Sequence, residues 1–382
     1  MTSILRVKLI QSILPVETHN YDVVSAGATA KLVYPLFFLL LSFGIVSRSG
    51  ADDEIRYGAD ATRLPVGTDI AAMGDAGVVL PRRVPSSIWN PASAAFFDRY
   101  EFSAEGADLY CRLAQQACFA ATAPLRNNIG ASICYQPFYT GLIEQYDSIP
   151  ETSSLNELYG HRPTGYFRNF HHTLHLTVAR NIPLHLPRFS EIDPPLPLDI
   201  AIGTNLKVYA QTMNPNDRMH VGMGYNADIG LQIRLGLDYD IKEKRICREL
   251  IFGATLRDPL PSDIVWIHRA EDTWMYSPDS YREPFSFAQY YGIAFSDRSK
   301  DLFANWTIAL ALHKEYDVTY HGGIEAEFWD MVSFRIGFSD RTPTVGAGFR
   351  YRRIFMDYAF RFEEIAVSFV RLTLGVSLPG GG

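Results

Sequence analysis

Long apolar runs are almost missing from this chain. One exists, residues 32–46 (LVYPLFFLLLSFGIV), and it falls short of the ~20 apolar residues that a spanning helix needs. A bundle of membrane helices is therefore excluded. Cysteine is scarce: Cys111, Cys118, Cys134 and Cys247, at spacings that match no zinc pattern. There is no basic excess. Lys and Arg number 35 against 42 Asp and Glu, a formal net charge of −7, so the footprint of a nucleic-acid partner is absent. Catalytic signatures are missing too. The chain has no HExxH, no GxSxG, no phosphate-binding GxxxxGK[ST], and no GxGxxG opening a helix after a strand. We expect no catalytic residue, no cofactor and no metal.

The single apolar run suits the core of a signal peptide. Ser49-Gly50-Ala51 follows it with small residues, so cleavage before Asp52 is expected and residues 1–51 read as a leader. The competing reading is an N-terminal anchor helix. With no Cys beside the cleavage point, nothing points to a lipoprotein.

What the chain does have is alternation. In 221–239, VGMGYNADIGLQIRLGLDY, every odd position is apolar and every even one is polar or glycine. A period of two is a strand with one greasy and one wet face. It is far longer than the ~5–6 residues typical of a globular sheet. A strand in lipid must have every backbone group paired, so the sheet has to close on itself. The 21 Tyr and 24 Phe would supply the aromatic girdles of such a transmembrane barrel. A soluble β-rich protein is the alternative.

Alternating runs recur from Tyr100 to the C-terminus. We place strands at 100–110, 115–123, 128–138, 168–180, 198–210, 220–239, 246–257, 288–296, 302–313, 316–328, 331–339, 344–352, 354–362 and 365–378, about fourteen in all. The expected fold is an all-β, antiparallel transmembrane barrel over 99–382. Arginine facing lipid at mid-bilayer would cost about 2–4 kcal/mol. Arg234, Arg335, Arg350 and Arg371 are therefore placed in the lumen, with Asp228 beside them. The two longest connections, about 139–167 and 258–287, fall on one side, and the short turns near 124–127, 297–300, 329–330 and Arg353 on the other. The Pro-rich 181–197 breaks this pattern. It is either a protrusion on the short-turn side or a misplaced strand.

Several clusters invite chemistry. His171, His172 and His175 resemble a metal site, but on a strand His172 points away from the other two. Glu363-Glu364 reads as a solvated pair in an outer turn. Cys111 and Cys118 lie on neighbouring strands and can pair in an oxidising compartment; free buried thiols are the alternative. Residues 52–98 lack clean alternation and end in SSIWNPASAAFF. We read them as a compact segment with short helical pieces, a hatch or plug in the barrel mouth. Pro91 restricts Asn90 to extended or turn conformations, and a helix can start after it. A plain helix-start turn before the wall is the simpler reading of that motif.

At this motif the sequence resembles the PorV/PorQ family, within the wider FadL-like outer-membrane barrels. The resemblance rests on GTDIAAMGDAGVVLPRRVPSSIWNPASAAFF, with Met73, Gly74, Ala76, Trp89, Asn90, Pro91 and Ala92 matching the family's Met-Gly turn and Trp-Asn-Pro-Ala box. It extends to ADIGLQIR (227–234), HGGIEAEFW (321–329), FRIGFSD (334–340), VGAGFRYRRIFMDYAF (345–360) and VRLTLGVSL (370–378). The resemblance implies a fourteen-stranded bacterial outer-membrane barrel with an N-terminal hatch, lodged in outer-membrane lipid. It implies one of two non-enzymatic jobs: an accessory to type IX-like secretion, handling cargo or surface-assembly proteins, or uptake of a hydrophobic ligand. The closer likeness to PorV-like members puts the secretion role first, and the expected lumen positions, rich in Gly, Asp, Asn and Arg, offer uptake no continuous apolar path. The apolar residues Phe138, Tyr139, Leu142, Ile143, Ile264, Trp266 and Trp274 are expected in outer loops, as a ligand-capture patch or a partner site. An outer-membrane hydrolase built from residues on different strands is the remaining alternative.

Overall fold

In the computed structural model the described residues are 59–80, 85–110, 112–145, 163–186, 196–214, 219–240, 245–270, 273–275, 281–298, 304–362 and 369–380. The leader, Cys111 and Glu363-Glu364 lie outside them. The strands are β1 (Arg99–Leu109), β2 (Ala114–Pro124), β3 (Ile129–Gln145), β4 (Gly165–Leu186), β5 (Leu196–Met213), β6 (His220–Asp240), β7 (Arg245–Arg257), β8 (Asp263–Ala270), β9 (Thr273–Met275), β10 (Arg282–Pro284), β11 (Ala288–Asp297), β12 (Asn305–Lys314), β13 (Val318–Phe328), β14 (Val332–Ser339), β15 (Thr342–Tyr351), β16 (Ile354–Arg361) and β17 (Phe369–Pro379).

Fourteen of these, β1–β7 and β11–β17, form a closed antiparallel barrel. Each pairs with its neighbour in sequence, β7 pairs with β11 (Gly253 opposite Gly292), and β1 closes onto β17 (Ala104 opposite Leu374). Closure leaves no edge to be satisfied. The alternation resolves into an outer apolar face and an inner polar one. On β6 Tyr225 is 63% exposed on the outside, while Asp228 is fully buried within. Phe102, Ile202, Leu206, Phe334 and Leu374 belong to the same exposed belt. Exposed aromatics flank it at both ends, with Tyr110, Tyr316 and Tyr320 toward the long loops and Trp306, Trp329 and Tyr351 toward the short turns.

The wall is lopsided. β3 to β6 run for 17, 22, 18 and 21 residues, whereas β11 to β17 run for 8 to 11. Two features account for the tall side. The described ends of the Pro-rich stretch after Asn181 are strand: Ile182 to Leu186 pair with Ile200 to Leu196, extending the β4–β5 hairpin at the short-turn end, and 187–195 lie outside the described residues. The conflict over 181–197 thus ends in a protrusion, and β4 and β5 are longer than their alternation suggests. At the long-loop end, β6 outruns β7, and the connection after β7 folds back over it. Its β8 pairs with β6 from His220 to Met223, and β9 and β10 add to β8. These three loop strands went unanticipated, because their short runs carry no clean period.

Ahead of the wall, residues 59–98 form short pieces: a 3-10 turn (Asp60–Arg63), α1 (Thr68–Ala72), a second 3-10 turn (Gly77–Val79), α2 (Ser86–Trp89) and a third (Pro91–Phe96). Their side chains are mostly buried against inward-facing wall positions, so this segment occupies the lumen. Its apolar core joins Ile70, Met73, Val78, Val79 and Trp89 to Ile251, Tyr290, Ala294 and Ala309 of the wall.

Candidate functional site: the occupied lumen and its mouth

Two of the places that fasten the N-terminal segment fall on the sequence motifs. One is the turn after α1. Gly74 has φ +66°, and a Cβ there would stand 2.1 Å from the Phe338 carbonyl oxygen and 2.4 Å from that of Gly322. Only glycine fits. The Ala72 carbonyl accepts from Thr344 Oγ1 (3.1 Å), and His321 Nδ1 bonds the Gly74 carbonyl (3.1 Å). Asp75 Oδ2 accepts from Ser339 Oγ (2.7 Å) and Arg361 Nη1 (3.1 Å). Met73 is buried with its backbone over Gly323 and Gly337 of the wall.

The other fastening is the Trp-Asn-Pro-Ala box. Trp89 Nε1 donates to the Val66 carbonyl (2.7 Å), which ties α2 back to the start of the segment. Asn90 Nδ2 donates to Val78 (2.9 Å) and to Leu231 on β6 (3.1 Å), while its Oδ1 accepts from the Ala92 N–H (3.0 Å). Asn90 is thus the N-cap of the Pro91–Phe96 turn, with Pro91 at its first position. Ser93 Oγ donates to the Asn90 carbonyl (2.7 Å). The backbone of Pro91 and Ala92 passes so close to Gly203 on β5 that a Cβ there would lie 2.5 Å from Pro91 carbonyl atoms. Between the two fastenings, Thr68 Oγ1 sits 2.7 Å from Thr373 Oγ1, and Gly67 N–H donates to Glu105 (2.9 Å).

All five anticipated lumen residues point inward. Arg335 bridges Glu325 (2.6 Å) and Asp357 (2.8 Å), and Arg371 bonds Glu105 (2.8 Å), which also receives Gly67. Arg234 pairs with Glu249 (2.5 Å) and lies over the Phe96 ring at 4.6 Å. Arg350, half-buried near the short turns, lies 5.9 Å from the Phe355 ring. Asp228 joins a larger buried group. Lys207 Nζ contacts Asp228 (2.9 Å) and Asp258 (2.5 Å), Asn205 Nδ2 donates to Asp228 (2.8 Å), and Arg257 donates to the Thr62 carbonyl (3.0 Å). Lys207, Arg257 and Asp258 were not anticipated as site residues. For Lys207 the signal existed: it falls on the polar register of β5, in step with Gly203 and Asn205.

The histidines divide as strand geometry requires. His171 and His175 face inward, and His172 faces out, its Nδ1 2.7 Å from Tyr135 OH. Several apolar residues expected in outer loops are instead strand residues. Phe138, Tyr139, Leu142 and Ile143 lie on β3, and Ile264 and Trp266 on β8, with Ile264 wholly buried against Tyr209 and Phe285. The Trp274 side chain lies outside the described ones.

Those β8 residues help form a cavity of about 440 Å³ at the long-loop end. Its floor is Ala59, Asp60 and Ala61 of the N-terminal segment; its walls include His171, Tyr209, Met213, Trp266 and Glu283. Several polar groups there are engaged with one another. Tyr209 OH donates to Gln211 Oε1 (2.9 Å), so it accepts from His171 Nδ1 (2.5 Å), and Gln211 Nε2 donates to Asn169 (2.9 Å). Burial pushes the Asp60 carboxyl above the ordinary carboxylate range, against the pull of Arg63. Arg63 marks a divide: it pairs with Asp60 on this side and with Glu315 on the other. Beyond it lies a second cavity of about 350 Å³, lined by Asp75, Trp89, Tyr290, His313, His321 and Arg361.

One place in the wall is loose. β2 and β3 pair on either side, at Gln116–Phe138 and at Phe119–Tyr135, but Ala117 and Cys118 have no ladder partner in Pro137 and Gln136. Pro137 has no N–H to give. A depression of about 570 Å³ lies on the outer surface there, lined by Gly106, Gln116, Ala117, Pro137, Tyr139 and Leu372.

No protein-family profile matches the chain, and no curated protein does. Among solved structures it is similar to the toluene transporter TbuX of Ralstonia pickettii, at 10% identity and TM-score 0.46 over 83% of this chain and 98% of that one. A deltaS2 mutant of the TodX monoaromatic hydrocarbon channel gives 10% and 0.46 over 83% and 99%. The Pseudomonas putida toluene transporter TodX gives 10% and 0.40 over 82% and 97%. Likeness at this level carries neither ligand nor mechanism across.

Proposed function

We propose that the protein is a non-enzymatic channel of the bacterial outer membrane, with residues 59–98 as its hatch and the long loops facing outward. Its cargo is a small apolar or amphipathic molecule. The observation that carries this is the cavity of about 440 Å³ in the outer mouth, walled by the barrel and floored by the hatch itself. That is the volume of a small-molecule site, and its lining sets the apolar surface of Ala59, Ala61, Met213 and Trp266 among polar side chains, of which His171, Tyr209 and Gln211 bond one another. A solute resting there touches the gate it has to displace. The loose stretch between β2 and β3 is the exit we assign to it, toward the bilayer.

The sequence puts secretion first on its closer likeness to PorV-like members, with the polar lumen positions as the physical argument against uptake. The structure changes the weight of that point. The polar side chains pair with each other across the wall or hold the hatch, as Arg335, Arg371 and Lys207 do. Lumen polarity therefore describes how the hatch is seated and not what passes. A secretion-accessory role keeps one support: Leu113, Leu142 and Tyr281 are strongly exposed at the outer rim, where a protein partner would dock.

Trp266 lines the outer cavity and reports on it. Titrating the purified barrel with a monoaromatic hydrocarbon and with a medium-chain fatty acid should shift its fluorescence, and Ala59→Trp, which fills the floor, should weaken binding at least tenfold. No saturable binding of either probe would sink the channel reading. A co-purifying surface protein, with no bound apolar ligand, would favour the accessory role.

A further inference from the structure

We propose that Cys118 and Cys134 form a disulfide in the mature protein, joining β2 to β3 beside the loose stretch of wall. The two sulfurs, as free thiols, lie 2.7 Å apart. A disulfide bond is ~2.05 Å long, so a small adjustment closes the gap. Both side chains face the lumen and are 1% exposed. They sit diagonally across the ladder, Cys134 opposite Ala120, and the pairings missing from β2–β3 begin at Cys118 itself. The bond would replace backbone pairing where Pro137 prevents it. The sulfur beside Cys118 is that of Cys134; Cys111, the partner expected from neighbouring strands, lies outside the described residues.

The packing also fixes the order of events. Val66 and Ile88 of the hatch cover the two cysteines, and Ser87 Oγ, next in the chain to Ile88, bonds Ser132 Oγ at 2.7 Å. Once the hatch is seated no catalyst reaches the sulfurs. Oxidation must therefore precede seating, during transit through an oxidising compartment where disulfides persist. The chemistry is thiol–disulfide exchange. One cysteine thiolate attacks the disulfide of a periplasmic oxidant protein, forming a mixed disulfide and releasing one oxidant thiolate. The second cysteine thiolate then displaces the other. One S–S bond forms in the barrel, the oxidant's is broken, and the two protons that leave the cysteine thiols are taken up, by way of solvent, by the oxidant's two thiolates to give its dithiol. The inference needs export but not the channel reading; either can fail alone.

The test uses the native full chain, purified from membranes without reductant, denatured in excess alkylating reagent and digested. The expected result is one peptide pair linked through Cys118 and Cys134, which separates and takes up two alkyl groups only after reduction. Intact protein should be lighter than its reduced form by two hydrogens. Direct alkylation of both cysteines, or linkage of either to Cys111 or Cys247, overturns the proposal. A second measurement concerns the wall: Cys118→Ser with Cys134→Ser should speed hydrogen exchange in residues 114–124 and 129–140, and unchanged exchange there overturns the role at the loose stretch.

Discussion

The hatch meets two different walls. On the short side, β13 to β16, its Met73-Gly74 turn is held by directional polar bonds: Thr344 to Ala72, His321 to Gly74, and Ser339 with Arg361 to Asp75. On the tall side, β5 and β6, the Trp-Asn-Pro-Ala box relies on close backbone packing over Gly203, with a single hydrogen bond from Asn90 to the wall at Leu231. Asn90 spends its remaining bonds inside the hatch, on Val78 and Ala92. The tall-side box chiefly keeps the hatch folded as a unit, and the short-side turn attaches it together with the bonds of Thr62, Gly67, Thr68 and Ser87 to the wall. Release, in this account, is a rigid-body departure that starts at the tall side, where the outer cavity lies, and it must also break the bonds of Ser132 to Ser87, Gln136 to Ala61 and Arg257 to Thr62.

The largest effect is expected from Gly74→Ala. A left-handed φ costs an alanine about 1–2 kcal/mol, and contact with two wall carbonyls adds about 1–3 kcal/mol. The turn should leave the wall, and limited proteolysis should cut the hatch while the barrel stays intact. Gly203→Ala comes next, at about 1–3 kcal/mol of overpacking. It should lift the tall-side box alone, so that hydrogen exchange rises in 86–96 but not in 68–75. Exchange rising equally in both would erase the distinction between the anchors. Asn90→Ala removes several hydrogen bonds of about 1 kcal/mol each. Two of them, to Val78 and Ala92, are internal to the hatch, so the expected loss is of hatch melting temperature more than of attachment. Asp75→Asn should be mildest, under about 1 kcal/mol, because its Arg361 partner is partly exposed and screened. A small rise in hatch exchange at high salt, already present in the wild type, would show that this pair contributes little.

Much of this was legible from residue order alone, and for a stated reason. A wall strand exposed to lipid outside and polar groups inside must alternate, so β6 and the inward arginines Arg335 and Arg371 declare themselves. What failed to show lacks that constraint. β8 to β10 pair only at the rim, where neither face is forced to be apolar. The extensions of β4 and β5 pass through Pro183 and Pro197, which read as turn residues although they sit in a paired hairpin. The hatch box was visible as a motif, but its docking on Gly203 was not, since a wall glycine looks the same whether it faces water or a neighbouring backbone. The Lys207–Asp228–Asp258 group needs three elements to meet, and no local pattern encodes that meeting.

Locking the hatch tests the central claim most directly. Thr68 and Thr373 hold their hydroxyls 2.7 Å apart across hatch and wall, so Thr68→Cys with Thr373→Cys should oxidise to a tether. In proteoliposomes the tethered barrel should still bind an apolar probe at the outer mouth but pass at least tenfold less of it, with passage restored by mild reduction. Equal passage with the tether closed and open would contradict the account, because the hatch would then not be the gate.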